Sequence, residues 1–308
     1  MLISIIIPLK NEAENLPLLY ARLVKVMTDK GFSYEIVFIN DGSTDNSLAI
    51  IQELAKNDKQ VRYISFSRNF GHEAATTAGI DIVKGDAAVI IDADLQDPPE
   101  IIPEFIACWQ EGAQIVYGRR RVREGEPLFR RLSAWTFYRL LRRLSDIAIP
   151  VDTGDFRLMD RAVIDSVKLL REQSRFVRGL ITWVGYRQRA VEYERDPRAS
   201  GKSGYNPVRL LMLSLDAITG FSIMPLRMLM VLGLGVTCLS FLGVLWIIFN
   251  KLYYGLPIPG YAFQTSGLFF LGGTQILFLG ILGEYIGKIY RQVQKRPLYV
   301  IDSHASEF

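Results

Sequence analysis

Cysteine and histidine are scarce in this chain, with two of each among 308 residues. Cys108 and Cys238 cannot build a disulfide scaffold, and Cys238 sits inside an apolar run. With only His72 and His304, a histidine-rich metal centre is excluded. Charge of one sign is lacking too. Lys and Arg total 36 against 32 Asp and Glu, and the net charge of +4 is too small for a nucleic-acid-binding surface, which needs a stronger basic stripe. Residues 1–9 are apolar but have no basic start, and Asn11-Glu12 follow at once, so they read as a first strand rather than a signal peptide. No internal repeat or low-complexity tract is visible.

Toward the C-terminus charge is missing altogether. Residues 228–249 form a 22-residue run without Asp, Glu, Lys or Arg, and residues 263–283 form another of 21. Each exceeds the roughly 18–20 residues that cross a bilayer core as a helix. The chain is therefore expected to be an integral membrane protein with a large water-soluble part. The connection 250–262 contains Gly255, Pro257, Pro259 and Gly260 and is too short for a domain, so the two spans (about 228–249 and 263–286) form an antiparallel hairpin. That connection carries only Lys251, whereas Arg227 precedes the hairpin and Lys288, Arg291, Lys295 and Arg296 follow it. The positive-inside rule then places both termini and the N-terminal domain on the cytoplasmic side of the cell membrane. Gly233, Gly235, Gly243, Gly272, Gly273 and Gly280 permit close helix packing, within one chain or between the protomers of a homo-oligomer. A channel or transporter would need more polar residues at membrane depth than Thr274 and Gln275.

Residues 1–118 alternate strand-like and helix-like patterns. Residues 3–8 form an apolar run of the buried parallel-strand kind, and 35–39, 61–65, 87–91 and 115–118 read as further strands. Between them, residues 15–27, 45–54 and 72–83 carry helical spacing, with Leu16, Leu19, Leu23 and Val26 on one face of the first. This alternation predicts an α/β fold with a Rossmann-like parallel sheet and its ligands at the carboxyl ends of the strands. The chain divides into a domain at 1–205, a juxtamembrane amphipathic helix at 206–225, the hairpin at 226–290 and a tail at 291–308. Within the first, residues 119–145 form a basic amphipathic segment suited to the membrane interface.

The polar clusters fall where strands end. Asp92-Ala93-Asp94-Leu95-Gln96-Asp97 follows an apolar strand, and closely spaced carboxylates there suit Mg²⁺ or Mn²⁺, which also keep phosphate oxygens and water in their shell. Asn40-Asp41-Gly42-Ser43-Thr44-Asp45 closes the second strand. Capping of the next helix explains Ser43 to Asp45 but not Asp41, a candidate acceptor for a base or ribose. Pro8-Leu9-Lys10-Asn11-Glu12 ends the first strand; Glu12 reads either as a helix-start charge or as a ligand.

These segments, with Ser67-Arg68-Asn69-Phe70-Gly71-His72 and Val151-Asp152-Thr153-Gly154-Asp155-Phe156-Arg157-Leu158, resemble the family 2 glycosyltransferases of the GT-A fold. With the two-span hairpin, the chain is similar to polyisoprenyl-phosphate glycosyltransferases. The resemblance implies that Pro8, Glu12 and Asp41 contact the nucleoside, and that Asp92, Asp94 and Gln96 hold a metal, Mg²⁺ or Mn²⁺, with the diphosphate. Arg198 and Ser203 match a segment that closes over the donor. Arg119, Arg130, Arg131 and Ser133 are expected to hold the acceptor phosphate of a polyprenyl lipid, a role for which bidentate arginine is suited. Asp155 stands where the resemblance puts a catalytic base, with Asp94 and Arg157 beside it. A phosphate monoester has a second pKa of about 6 and is already largely anionic at neutral pH, so Asp155 has the alternative role of orienting Arg157 or the acceptor.

The activity this implies is inverting transfer of a hexose from a nucleotide sugar to polyprenyl phosphate at a membrane, with UDP-glucose as donor. GDP-mannose or a UDP-aminosugar is the alternative donor. A processive polysaccharide synthase is disfavoured by the two spans and the absence of a Gln-x-x-Arg-Trp segment. A non-catalytic membrane scaffold is disfavoured by the intact Asp92, Asp94 and Gln96.

Overall fold

A computed structural model of the chain describes residues 1–120, 153–194, 224–254, 260–302 and 306. In order these form β1 (Leu2–Leu9), α1 (Leu16–Asp29), β2 (Ser33–Asn40), α2 (Ser47–Asn57), β3 (Val61–Ser65), α3 (His72–Ile82) and β4 (Ala87–Ile90). There follow α4 (Ile102–Gln110), β5 (Ile115–Arg120), β6 (Thr153–Asp160), α5 (Arg161–Leu169), α6 (Val177–Trp183), β7 (Gln188–Tyr193), α7 (Met224–Tyr254) and α8 (Tyr261–Val293).

The seven strands make one mixed sheet in the order β3-β2-β1-β4-β6-β5-β7. Parallel strands covered on both faces are nearly continuously apolar, and β1 shows why. Ile3, Ile5 and Ile7 pack with Leu16, Leu19, Leu23 and Phe105 on one side, while Ile6 packs with Ala75, Ala78 and Ile90 on the other. Helices α1, α2 and α4 thus cover one face, and α3, α5 and α6 the other.

The sheet is not parallel throughout. β3, β2, β1 and β4 run together, but β6 is antiparallel to both β4 and β5, and it separates them. The parallel pattern expected from residues 1–118 holds for these four strands, and β6 interrupts it for a physical reason. Phe156, Leu158 and Met159 are fully buried, so β6 fills the slot beside β4 that β5 would otherwise take. Its Gly, Asp and Arg hide this from hydropathy.

Helices α7 and α8 are long and apolar enough to cross a membrane, over 224–250 and 270–293 by length and composition. They leave large side chains uncovered, Leu234 at 66% and Ile276 at 72% exposure among them. Among the described residues, a side chain added at Gly233, Gly235, Gly243, Gly272, Gly273 or Gly280 would meet nothing within 4 Å.

One buried polar cluster ties three elements below the sheet. Glu35 accepts hydrogen bonds from Ser4 (2.5 Å), the Lys84 amide (2.7 Å) and Arg62 (2.7 Å). Burial alone would raise the Glu35 carboxyl, but these three donors together hold it below the ordinary value of 4.5. Its stabilisation is therefore full above pH 4.5 and is lost as the pH falls through the lower folded value. Breaking a buried pair strands its partner's charge, so Glu35→Gln should destabilise the protein by about 3 kcal/mol at neutral pH. Thermal unfolding of both proteins in detergent should show the gap shrinking on acidification below pH 4.5; a gap independent of pH would contradict this origin.

Candidate active site

The carboxyl ends of β1, β2 and β4 and the start of β6 meet at one edge of the sheet. There they surround a cleft of about 520 Å³ lined by Pro8, Leu9, Lys10, Glu12, Asp41, Asn69, Gly71, His72, Ala75, Asp92, Ala93 and Asp94. Asp155 arrives there because β6 is antiparallel: Ile90 pairs with Arg157, so two residues beyond β4 Asp92 comes abreast of Asp155.

The first two strand ends are stitched together. The Asn11 amide donates to Ser43 Oγ (3.0 Å), the Glu12 amide to Ser47 Oγ (2.9 Å), and the Thr44 amide to Asn11 Oδ1 (2.7 Å). Asp41 is buried and accepts from the amides of Phe70 (2.6 Å) and Gly71 (3.0 Å). Burial still raises its carboxyl above the usual range, against those amides and the charge of Lys10. Gly42 is required beside it. With φ at +61°, a Cβ there would lie 2.6 Å from the Arg68 carbonyl carbon, so only glycine lets the loop 66–71 close on the turn.

Four charged groups converge opposite. His72 Nε2 stands 3.2 Å from Asp155 Oδ2 and 3.7 Å from Asp92 Oδ1. Arg178 grips Asp155 with two contacts, Nε to Oδ1 at 2.6 Å and Nη2 to Oδ2 at 3.0 Å. Arg178 is held there because Glu73, beside His72 on α3, accepts the Val177 amide at 2.7 Å, which joins the starts of α3 and α6. Burial alone would raise Asp155, yet His72 and Arg178 hold its carboxyl well below the ordinary carboxylate value. Burial raises Asp92, with His72 opposing and three neighbouring carboxylates reinforcing the rise. The His72 imidazole would be depressed by burial, but Asp155 and Asp92 bring it up to about 9, so a metal ion entering the cluster would have to displace its proton before Nε2 could ligate it.

Ligand atoms of His72, Asp92 and Asp155 lie within 4.8 Å of one another, and Asp92 Oδ1 is buried without a hydrogen-bond partner. Such a set, rich in carboxylate, fits a divalent cation of the Mg²⁺ or Mn²⁺ kind. Asp94 lines the same cleft and accepts the Gln96 amide at 3.1 Å across a turn in which Leu95 has φ +59°. The Gln96 side chain is not part of the lining.

Of the residues expected from sequence, Pro8, Glu12, Asp41, Asp92 and Asp94 line the cleft, and Asp155 joins it through His72. Arg157 does not pair with Asp155. It is buried, its Nη2 donates to the Gly154 carbonyl at 2.9 Å, and burial lowers its guanidinium to about 10. Arg119 lies exposed on β5, 3.9 Å from Glu192. Arg130, Arg131, Ser133, Arg198 and Ser203 fall outside the described residues. Sequence reasoning assigned no role to His72 or Arg178. His72 stood inside a motif already noted, whereas Arg178 had no local signal, lying 23 residues from its partner.

A mixed α/β sheet with carboxylates gathered at the ends of its parallel strands is the framework of a GT-A glycosyltransferase. The chain belongs to glycosyl transferase family 2, whose model matches residues 4–168. The similarity to known proteins extends over both long apolar helices as well. A bactoprenol glucosyl transferase of Shigella phage SfII is 44% identical over 301 residues, covering 98% of this chain and 97% of that one. An uncharacterized glycosyltransferase of Bacillus subtilis, YkcC, is 46% identical over 298 residues, 97% of this chain and 92% of its own. Another of Synechocystis is 44% identical over 299 residues, 97% and 94% respectively.

Arg178→Ala removes both contacts that fix Asp155, and transferase activity should fall roughly a hundredfold, the scale seen when one preorganised charge partner is lost. Arg178→Lys should recover only part of it, since an ammonium cannot reproduce the fork. Steady-state rates on purified variants check this, and an unchanged kcat for Arg178→Ala would rule the pairing out as functional.

Proposed function

We propose that this enzyme transfers glucose from UDP-glucose to a polyprenyl phosphate of the undecaprenyl type, with inversion at the anomeric carbon. The observation that carries this reading is identity of 44% to a bactoprenol glucosyl transferase across 98% of the chain, apolar helices included. In the reaction a lipid-phosphate oxygen forms the new bond to the anomeric carbon while the bond to the UDP oxygen breaks and UDP leaves.

Pro8, Glu12 and Asp41 belong to the nucleoside end of the cleft. Asp92 and Asp94 face the diphosphate and would hold Mg²⁺ or Mn²⁺, with His72 Nε2 able to join them only after giving up its proton. When bound, the ion neutralises charge building on the leaving diphosphate. Asp155, held ionised by Arg178 and His72, is a weak base. That suits a nucleophile already anionic at neutral pH, for which positioning and charge screening matter more than deprotonation. Asp155 then serves by fixing Arg178 and His72, while Arg119, Arg130, Arg131 and Ser133 take the acceptor phosphate, and Arg198 and Ser203 close on the donor. The same reading puts residues 1–205 and both termini on the cytoplasmic face, where the cations flanking the hairpin favour that orientation.

Membranes carrying the protein, supplied with polyprenyl phosphate and labelled UDP-glucose, should form a labelled glycolipid; parallel reactions with GDP-mannose and UDP-aminosugars should not. Chelation with EDTA should abolish the product and Mn²⁺ or Mg²⁺ restore it. Asp92→Asn should lower the rate by roughly a hundredfold or more. Glycolipid from GDP-mannose alone would reassign the sugar, and none from any donor would favour the scaffold.

A further inference from the structure

Residues beyond α8 do not trail away from the soluble domain. Gln173 ties the end of the helix to the domain, its amide donating to Gln292 Oε1 at 2.8 Å and its Nε2 to the Arg296 carbonyl at 2.5 Å. Lys295, with φ at +48°, turns the chain there. The segment then runs along the open edge of β3. The Ser67 amide donates to the Val300 carbonyl (3.0 Å), the Asp302 amide donates to the Ser65 carbonyl (2.8 Å), and Ile301 faces Phe66 in an antiparallel bridge. The Ser65 amide also donates to Ser306 Oγ at 2.9 Å. Tyr299 stacks on Phe66, centroids 5.1 Å apart and planes 14° from parallel, and its hydroxyl donates to Asp81 on α3 at 2.9 Å.

These contacts land on a wall of the cleft. Phe66 meets Phe70 edge to face at 5.7 Å, and the Phe70 amide is the 2.6 Å donor to Asp41. Asn69 and Gly71 line the cleft, and His72 follows directly. Three contacts therefore lead from Tyr299 through Phe66 and Phe70 to a carboxylate of the site. Beyond that bridge the loop 66–71 is tied at its two ends, the Phe66 amide donating to the Asn40 carbonyl (2.9 Å) and the Gly71 carbonyl accepting the Ala74 amide (3.0 Å), while residues 68–70 between them lie in no helix or strand. Ordering it only when a ligand arrives would weaken binding, and fixing it beforehand avoids that loss.

We infer that residues 297–302, with Ser306, are a positioning strap for the donor site, and that Tyr299 is a positioning residue acting through Phe66 and Phe70. The inference rests on the reading of the cleft as a nucleotide-sugar site. The strap begins where α8 ends, so the cleft wall is referenced to the hairpin as well as to the sheet.

The test uses the full chain in detergent with Mn²⁺, comparing wild type, Tyr299→Ala and Tyr299→Phe. UDP affinity is read by calorimetry, KM for each substrate by turnover, and amide exchange on the peptide spanning residues 66–72. Loss of the stacked ring should weaken UDP binding about tenfold, an aromatic pair's worth, and raise KM for the nucleotide sugar equally. KM for the lipid phosphate should stay unchanged, and the Phe70 and Gly71 amides should exchange faster. Tyr299→Phe keeps the stack and should stay within about twofold of wild type. UDP binding and exchange unchanged in Tyr299→Ala would overturn the strap, as would equal losses for donor and acceptor together with a fall in Tm. If the alanine variant does not accumulate, Tyr299→Leu keeps volume without a planar ring and takes its place. A wild type that fails to bind UDP would overturn the nucleotide-sugar reading instead, and exchange at Phe70 and Gly71 would still decide the strap.

Discussion

Ile90 lies opposite Arg157 because β6 runs against β4, and that register carries Asp92 and Asp155 to the same edge of the sheet. A parallel strand in that slot would begin at the far edge, some 20 Å away for a strand of ordinary length, and the two carboxylates would never meet. Once they do meet, their repulsion sets the rest of the site. His72 and Arg178 are drawn in as countercharges, and Glu73 is spent on holding the helix that delivers Arg178. The antiparallel pairing is thus the constraint from which the cleft's charge pattern follows.

That pattern divides the work among similar groups. Asp155 is saturated with donors and stays ionised, Asp92 keeps one oxygen without a hydrogen-bond partner, and Asp41 spends its acceptors on backbone amides. Three carboxylates therefore have three different capacities: one orders cations, one is open to a metal, and one secures a loop. An acceptor that arrives as an anion needs the first two more than it needs a proton acceptor.

Much of this was legible in the sequence where the physics is local. A strand buried on both faces is nearly continuously apolar, so β1, β2 and β4 stand out as runs despite Ser4 and Glu35, and their polar ends mark the cleft at Asp41, Asp92 and Asp94. Direction is not local. β6 reads as Thr-Gly-Asp-Phe-Arg-Leu-Met-Asp, with no periodicity that distinguishes parallel from antiparallel pairing. The contacts of Arg178 with Asp155 and of Tyr299 with Asp81 span 23 and 218 residues, beyond any helical or strand spacing. Arg157 shares a face of β6 with Asp155, as residues two apart on a strand do, so the sequence offered them as a pair, yet the Arg157 guanidinium turns back to the Gly154 carbonyl.

The covering of β3 has a consequence for how the chain is made. An uncovered strand edge invites pairing with other chains, and the residues that cover this one come after both long apolar helices in the order of synthesis. While the ribosome is still producing the hairpin, the first strands are complete and that flank is bare. The covering can form only after α8 has left the ribosome, so during translation protection against strand-to-strand association on this side must come from elsewhere, and a chain stalled between the two spans would be the species most prone to aggregate.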